Sequence, residues 1–278
     1  MMKYLDSSNM FKTVVFLGSC ALTAIASSGT GKPGAGVIDA IRGEHRTPAY
    51  VLRDEHRRPA ETLVFFRLEK DQTVVEIWPG GGWYTEILAP LLKDEGQLYA
   101  ASFPAATPVE YYKKSRAKYD AKLAANAEVY DAVIVTELAP PEFVDIAPVG
   151  SADRVLTFRN VHNWMKAGSA EDVFSAMHKA LKPGGLLGVV EHRAKPGTSF
   201  DSMIKSGYVT EAAVIELATN AGFELVRKSE LNANAADTAD HPSGVWTLPP
   251  SLRLGDTDRE KYIAIGESDR MTLLFIKS

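Results

Sequence analysis

Seven short apolar runs, rich in β-branched residues and bounded by turn formers, punctuate this chain at 73–78, 97–102, 130–138, 153–158, 186–190, 224–228 and 271–277. Such runs predict buried strands. Helical periodicity fills the gaps. Ile87, Leu88, Leu91 and Leu92 share one face after the first run, and Gly96 is placed to cap that helix. Further helices are expected over 61–66, 109–125, 170–181 and 209–220. Lys113, Lys114, Arg116, Lys118 and Lys122 read as a solvated face of the 109–125 helix. Lys182-Pro183-Gly184-Gly185 reads as a helix stop and tight turn. Strands alternating with helices predict an α/β fold with a parallel sheet. The segment 232–254, with several Pro and Gly residues, is too long for a simple connection. It is expected either to wall or cover a site, or to decorate the surface.

The stretch 73–92 organises the rest. A strand, three glycines (Gly80, Gly81, Gly82) and a helix make the first half of a nucleotide-binding βαβ unit. Glycine permits the sharp turn and the close approach of a ligand, and the helix start offers unpaired N–H groups. Glu76, late in the strand, repels a phosphate and suits a ligand with a cationic or hydrogen-donating end. A nicotinamide cofactor calls for an acid about 20 residues past the glycines. Ala100, Ala101 and Ser102 stand in that region, which argues against an oxidoreductase.

Here the chain resembles the class I S-adenosylmethionine-dependent methyltransferases, whose first motif is an acidic residue followed by alternating glycines. Glu76, Gly80 and Gly82 fall on that pattern, and Trp78 stands where its first glycine would be. The wording from Glu76 to Thr85 is also similar to a group of predicted bacterial methyltransferases that are commonly exported, as Leu181-Lys182-Pro183-Gly184-Gly185 is to the wider class. Over 61–278 the resemblance implies a Rossmann-like, seven-stranded, mostly parallel sheet with helices on both faces and a C-terminal antiparallel hairpin. It implies S-adenosyl-L-methionine as cofactor, with Glu76 at its amino-acid end and Gly80, Gly81, Gly82 and Tyr84 along the glycine turn. Ser102 and Glu137 would stand at its ribose and adenine sides, and Asn160 in the methyl-transfer pocket. The acid that usually holds the ribose hydroxyls is missing among Ala100, Ala101 and Ser102.

Ligands of open parallel sheets sit beyond the carboxyl ends of the strands. Two such ends carry polar clusters: Arg159 to Trp164, and Glu191 with His192. Asn160, His162 and His192 are therefore the candidate catalytic residues. His162 suits a general base, since imidazole titrates near neutral pH; the competing reading has it only bonding a loop carbonyl. The combined expectation is methyl transfer to a small-molecule or protein acceptor. The alternative is an exported, non-catalytic ligand-binding protein on the same fold.

Composition adds bounds. The 278 residues are 45% hydrophobic and 24% charged, ordinary for a globule with a core. A net charge of −4 argues against a nucleic-acid surface. The basic run Arg53 to Arg58 is diluted by Asp54, Glu55 and His56 and reads as a solvated or capping arm. One cysteine, Cys20, and no His-Glu-x-x-His among six histidines lead to the expectation of no structural metal. Lys12, the apolar run 13–26 and Ala24-Ile25-Ala26 read as a signal peptide over 1–26. The protein is then periplasmic or secreted. The alternatives are a membrane lipoprotein through Leu17-Gly18-Ser19-Cys20, an uncleaved anchor, or a cytoplasmic protein if the leader, which contains Asp6, is misread. Residues 27–60 are expected as an N-terminal linker or arm leading into the 61–66 helix; in the resembling family a helix like that closes over the cofactor, and the competing reading packs it as a structural arm on the sheet edge.

Overall fold

The computed structural model describes residues 34–278; the expected signal peptide, Cys20 and the start of the arm lie outside the described residues. Four short helices come first: α1 (Ala35–Ile41), α2 (Pro48–Val51), α3 (Asp54–Arg57) and α4 (Pro59–Phe65). Then follow β1 (Thr73–Ile77), α5 (Thr85–Leu92), β2 (Gln97–Ser102), α6 (Glu110–Ala125), α7 (Ala127–Tyr130) and β3 (Ile134–Glu137). The second half contains β4 (Ala152–Phe158), α8 (Val161–Ala167), α9 (Ala170–Ala180) and β5 (Leu181–His192). It continues with α10 (Phe200–Ser206), α11 (Glu211–Asn220), β6 (Phe223–Ser229), a 3-10 turn at Gly244–Thr247, α12 (Arg259–Ile265) and β7 (Arg270–Lys277).

The seven strands form one sheet in the order β3-β2-β1-β4-β5-β7-β6. Strands β1 to β5 pair in parallel, while β7 runs antiparallel to both β5 and β6. This is the expected Rossmann-like sheet with a C-terminal antiparallel pair. Alternation along each buried strand feeds two cores. Val75, Ile77 and Val155 pack with Trp164, Phe174, Met177 and Val214, from α8, α9 and α11. Val74, Leu156 and Phe158 point the other way, onto Leu63, Phe66, Ile87 and Leu88. Gly188 of β5 makes room for Phe66, which follows α4: a Cβ there would stand 2.7 Å from the Phe66 ring.

The arm is fixed to the start of α5. Thr47 donates its N–H and hydroxyl to the buried Glu86 carboxylate, which also takes Lys122 from α6. Arg46 grips Asp54 with both terminal nitrogens, at 2.6 and 3.0 Å. Helix α6 is less solvated than its sequence implies. Lys113, Lys114 and Lys118 are exposed, but Arg116 binds Asp120, the Phe103 carbonyl and Glu137, and Lys122 reaches inward to Glu86. Among the described residues no helix is long and apolar enough to cross a membrane.

Candidate functional site

The carboxyl ends of β1, β4 and β5 open onto a cavity of about 260 Å³. Its floor comes from the strand ends, Glu76 to Gly80, Phe158 to Asn160, His162 and Asn163, with His192 beside them. The 232–254 segment supplies the facing wall through Trp246, Pro249 and Pro250. A buried polar hub pins that segment. Asp237 accepts from Tyr208 Oη, His241 Nε2 and the N–H groups of Ala239 and Asp269. The wall-or-decoration alternative thus resolves in favour of a wall.

One end of the cavity is acidic. The pleat of β1 buries Glu76 to 2% exposure between Ala100 of β2 and Leu156 of β4. Thr85 Oγ1 donates to its Oε2 at 2.6 Å and meets Tyr119 Oη at 3.1 Å. Burial pushes the Glu76 carboxyl up to about 7, and the Thr85 hydrogen bond offsets only part of this. No cation takes part in the shift. Glu76 is therefore a carboxylate short of a positive partner, facing a cavity. Gly80, at φ +60°, lies beside it with nothing in front of its absent Cβ. The other two glycines serve the fold instead: a Cβ on Gly81 would strike Tyr50 Oη at 2.4 Å, and one on Gly82 would crowd Lys122 and Tyr119.

The middle of the cavity holds the histidines. Glu191, fully buried at the end of β5, accepts from the N–H groups of His162 and His192 and bonds His162 Nδ1 at 3.1 Å. A carboxylate there keeps the proton on Nδ1 and leaves His162 Nε2 as the lone-pair nitrogen. The competing sequence reading, a loop carbonyl as partner, gives way to this carboxylate. His192 Nδ1 meets Ser268 Oγ at 2.5 Å, and burial, then His162 and the nearby arginines, holds His192 well below its ordinary pKa. Asn160 donates Nδ2 to the Ile77 carbonyl at 2.9 Å and to Thr157, tying the ends of β1 and β4 together.

His162, Glu191 and His192 bring potential metal-ligating atoms within 4.8 Å of one another. The setting opposes a cation. Arg159, Arg270 and Arg57 already disfavour a proton on His192 and would disfavour a dication in the same way. Glu191 is in addition engaged by both histidines.

The far end is basic, and the sequence did not reveal it. Arg53, Arg57 and Arg270 all bond Glu267, at 2.6, 3.3 and 3.2 Å. Burial alone would raise the Glu267 carboxyl, but Arg57, Arg159, Arg270 and Arg53 hold it well below the usual range. Arg57 sits in the run expected to be solvated, yet it is 3% exposed and lies over the Trp83 ring. Arg159 opens the polar cluster expected after β4 but was not among its candidate site residues, and its left-handed φ of 63° turns the chain at the end of β4.

Of the residues expected around a cofactor, Glu76, Gly80, Tyr84 and Asn160 line the cavity with His162 and His192. Ser102 and Glu137 do not. Ser102 is buried at the end of β2, and Glu137 turns to the Ala105 N–H and Arg116.

No protein-family model and no curated protein matches the sequence. Solved structures do. An S-adenosylmethionine-dependent methyltransferase from Aquifex aeolicus superposes with a TM-score of 0.54 at 15% identity, over 84% of this chain and 94% of that one. A putative sarcosine dimethylglycine methyltransferase from Galdieria sulphuraria gives 0.55 at 16%, over 82% and 85%. The fold is that of the S-adenosylmethionine-dependent methyltransferases. At the same level stands the cyclase SpnF, with a TM-score of 0.50 at 15% identity over 87% and 91%.

The residues present fit the amino-acid end of S-adenosylmethionine: Glu76 lacks a cation, and the open face of Gly80 admits a ligand beside it. Toward β2 and β3, the space beyond Glu76 is filled by Trp78. Its ring centroid lies 4.5 Å from Phe103, 5.8 Å from Tyr112 and 5.8 Å from Trp164, and its Nε1 donates to the Leu138 carbonyl at 3.0 Å.

Proposed function

We propose that this protein is a methyltransferase that holds S-adenosylmethionine by its amino-acid end at Glu76 and methylates an acceptor placed against His162. The observation that carries the reading is Glu76 itself, a buried carboxylate without a cation beside the open face of Gly80. Leaving such a group unpaired costs stability, and a ligand ammonium offsets that cost.

The bound cofactor supplies an electrophilic methyl group. The chain supplies position and a proton acceptor. Glu191 fixes the His162 ring through Nδ1, so that Nε2 can take the proton of an acceptor hydroxyl or amine. His192, held neutral, adds no positive charge to oppose protonation of its neighbour, whose ring centroid is 5.3 Å away. Trp246, 6.0 Å from the His162 ring, helps shut out water. Asn160 keeps Glu76 and His162 in register by joining β1 to β4.

Trp78 favours a second reading, a binding protein on this fold without transfer. A fluorescence titration with S-adenosylmethionine separates the two. Under the first reading the wild type binds, and Trp78→Gly, which restores a glycine and clears the indole, binds several-fold more tightly. Absence of binding by both folded proteins would overturn the transfer reading.

A further inference from the structure

The basic end of the cavity is built for a ligand that the amino-acid end of the cofactor does not supply. Arg53, Arg57, Arg159 and Arg270 converge on the single carboxylate of Glu267. Three of them bond it directly. Arg159 does not: among the described residues its guanidinium has neither a hydrogen bond nor an ion pair with any side chain or carbonyl, and it borders the cavity. Arg57 Nη2 and Arg53 Nη2 also lack partners. Arg159 is half-buried, so its guanidinium is partly stripped of water without gaining a protein acceptor, and an anion entering the cavity would supply one. Burial lowers Arg159 to about 10, far enough above neutrality for it to stay charged.

We propose that Arg159, supported by Arg57, forms a subsite for an oxyanion, a carboxylate or phosphate group, carried by the acceptor. A planar guanidinium takes either group through paired N–H donors. Two observations separate this subsite from Glu76. Glu76 lies opposite Leu156 in the sheet, and Arg159 follows Leu156 by three residues, about 10 Å further along at the rise of an extended strand. An amino acid, in contrast, carries its ammonium and carboxylate on one carbon, so a ligand whose ammonium sits at Glu76 does not place its own carboxylate at Arg159. The oxyanion therefore belongs to a second molecule. Its assignment to the acceptor rests on the transfer reading above, and it narrows that acceptor to a small acidic compound. Arg159 and His162 sit three residues apart on the turn from β4 into α8, so the anionic group and the nucleophile are held from one short segment.

The test is thermal unfolding and calorimetry with inorganic phosphate and with succinate, on the wild type, Arg159→Gln and Arg159→Lys. Phosphate or succinate should raise the wild-type melting temperature with increasing concentration. Arg159→Gln should bind at least tenfold more weakly while melting no lower than the wild type, because it removes a half-buried cation that has no hydrogen-bond partner and is crowded by Arg270 and Arg53. Arg159→Lys should fall between them. Comparing the two anions tells which oxyanion the site prefers. Repeating the titration with saturating S-adenosylmethionine tells the sources apart. Undiminished anion binding supports an acceptor subsite, and competition between them assigns the arginines to the cofactor and overturns the proposal. Equal anion binding by wild type and Arg159→Gln, a marked loss of stability in Arg159→Gln alone, or no binding by the wild type at millimolar anion would each overturn it too. Because the anion titrations run without cofactor, failure of the methyltransferase reading leaves their result intact.

Discussion

Burying Glu76 without a cation makes the unliganded protein sensitive to pH through one side chain. A carboxyl raised from 4.5 to about 7 favours the folded state below pH 4.5, and that contribution is lost as pH rises through 7. At 1.36 kcal/mol per unit the cost of the ionised form is on the order of 3 kcal/mol. Glu76→Gln keeps a partner for Thr85 and removes the charge. It should therefore melt several degrees above the wild type at pH 8, with the gap closing toward pH 5; an equal gap at both values would contradict the assignment. Glu76, Asn160, His162 and His192 were legible in the sequence because polar residues at strand ends announce a site. Arg57 and Glu267 were not, since they lie 210 residues apart and only the folded chain joins them. Ser102 and Glu137 were placed by resemblance alone; Ser102 is buried at the end of β2, and the Glu137 carboxylate found partners in the Ala105 N–H and Arg116.

At the scale of elements, the strands were legible because fully buried parallel strands leave dense β-branched runs whatever their neighbours. Helix α10 left no such trace: Met203 is the one residue of α10 described as buried, so no apolar stripe marks it. Leu181 to Gly185, read as a stop and turn, became the opening of β5, where Leu181 pairs with Ala152 before an irregularity in register. The 232–254 segment was ambiguous for a physical reason. Its order depends on side-chain acceptors rather than on periodicity, above all on Asp237. Asp237→Ala would leave buried donors on Tyr208 and Asp269 unmet, at about 3 kcal/mol. Urea unfolding should show that loss, and limited proteolysis should cut within 232–254 faster than in the wild type. A change below about 1 kcal/mol with an unaltered cleavage pattern would show that the wall is held in another way.

For the whole molecule, the alternation of strands and helices disclosed the sheet, and the glycine turn disclosed its working edge. The charge distribution inside the cavity was hidden, because a net charge of −4 says nothing of where arginines gather. A fold shared with methyltransferases and with a cyclase leaves chemistry to the site. The site offers a lone acid at one end, a carboxylate-bound histidine in the middle and arginines at the other. We propose that the acid receives the ammonium of S-adenosylmethionine. Calorimetric titration of S-adenosylmethionine into the folded protein, with Glu76→Ala alongside, tests it most directly. The wild type should bind in the micromolar range and the variant at least tenfold more weakly. Equal affinity in both, or no heat of binding in a wild type that melts cooperatively, would contradict it.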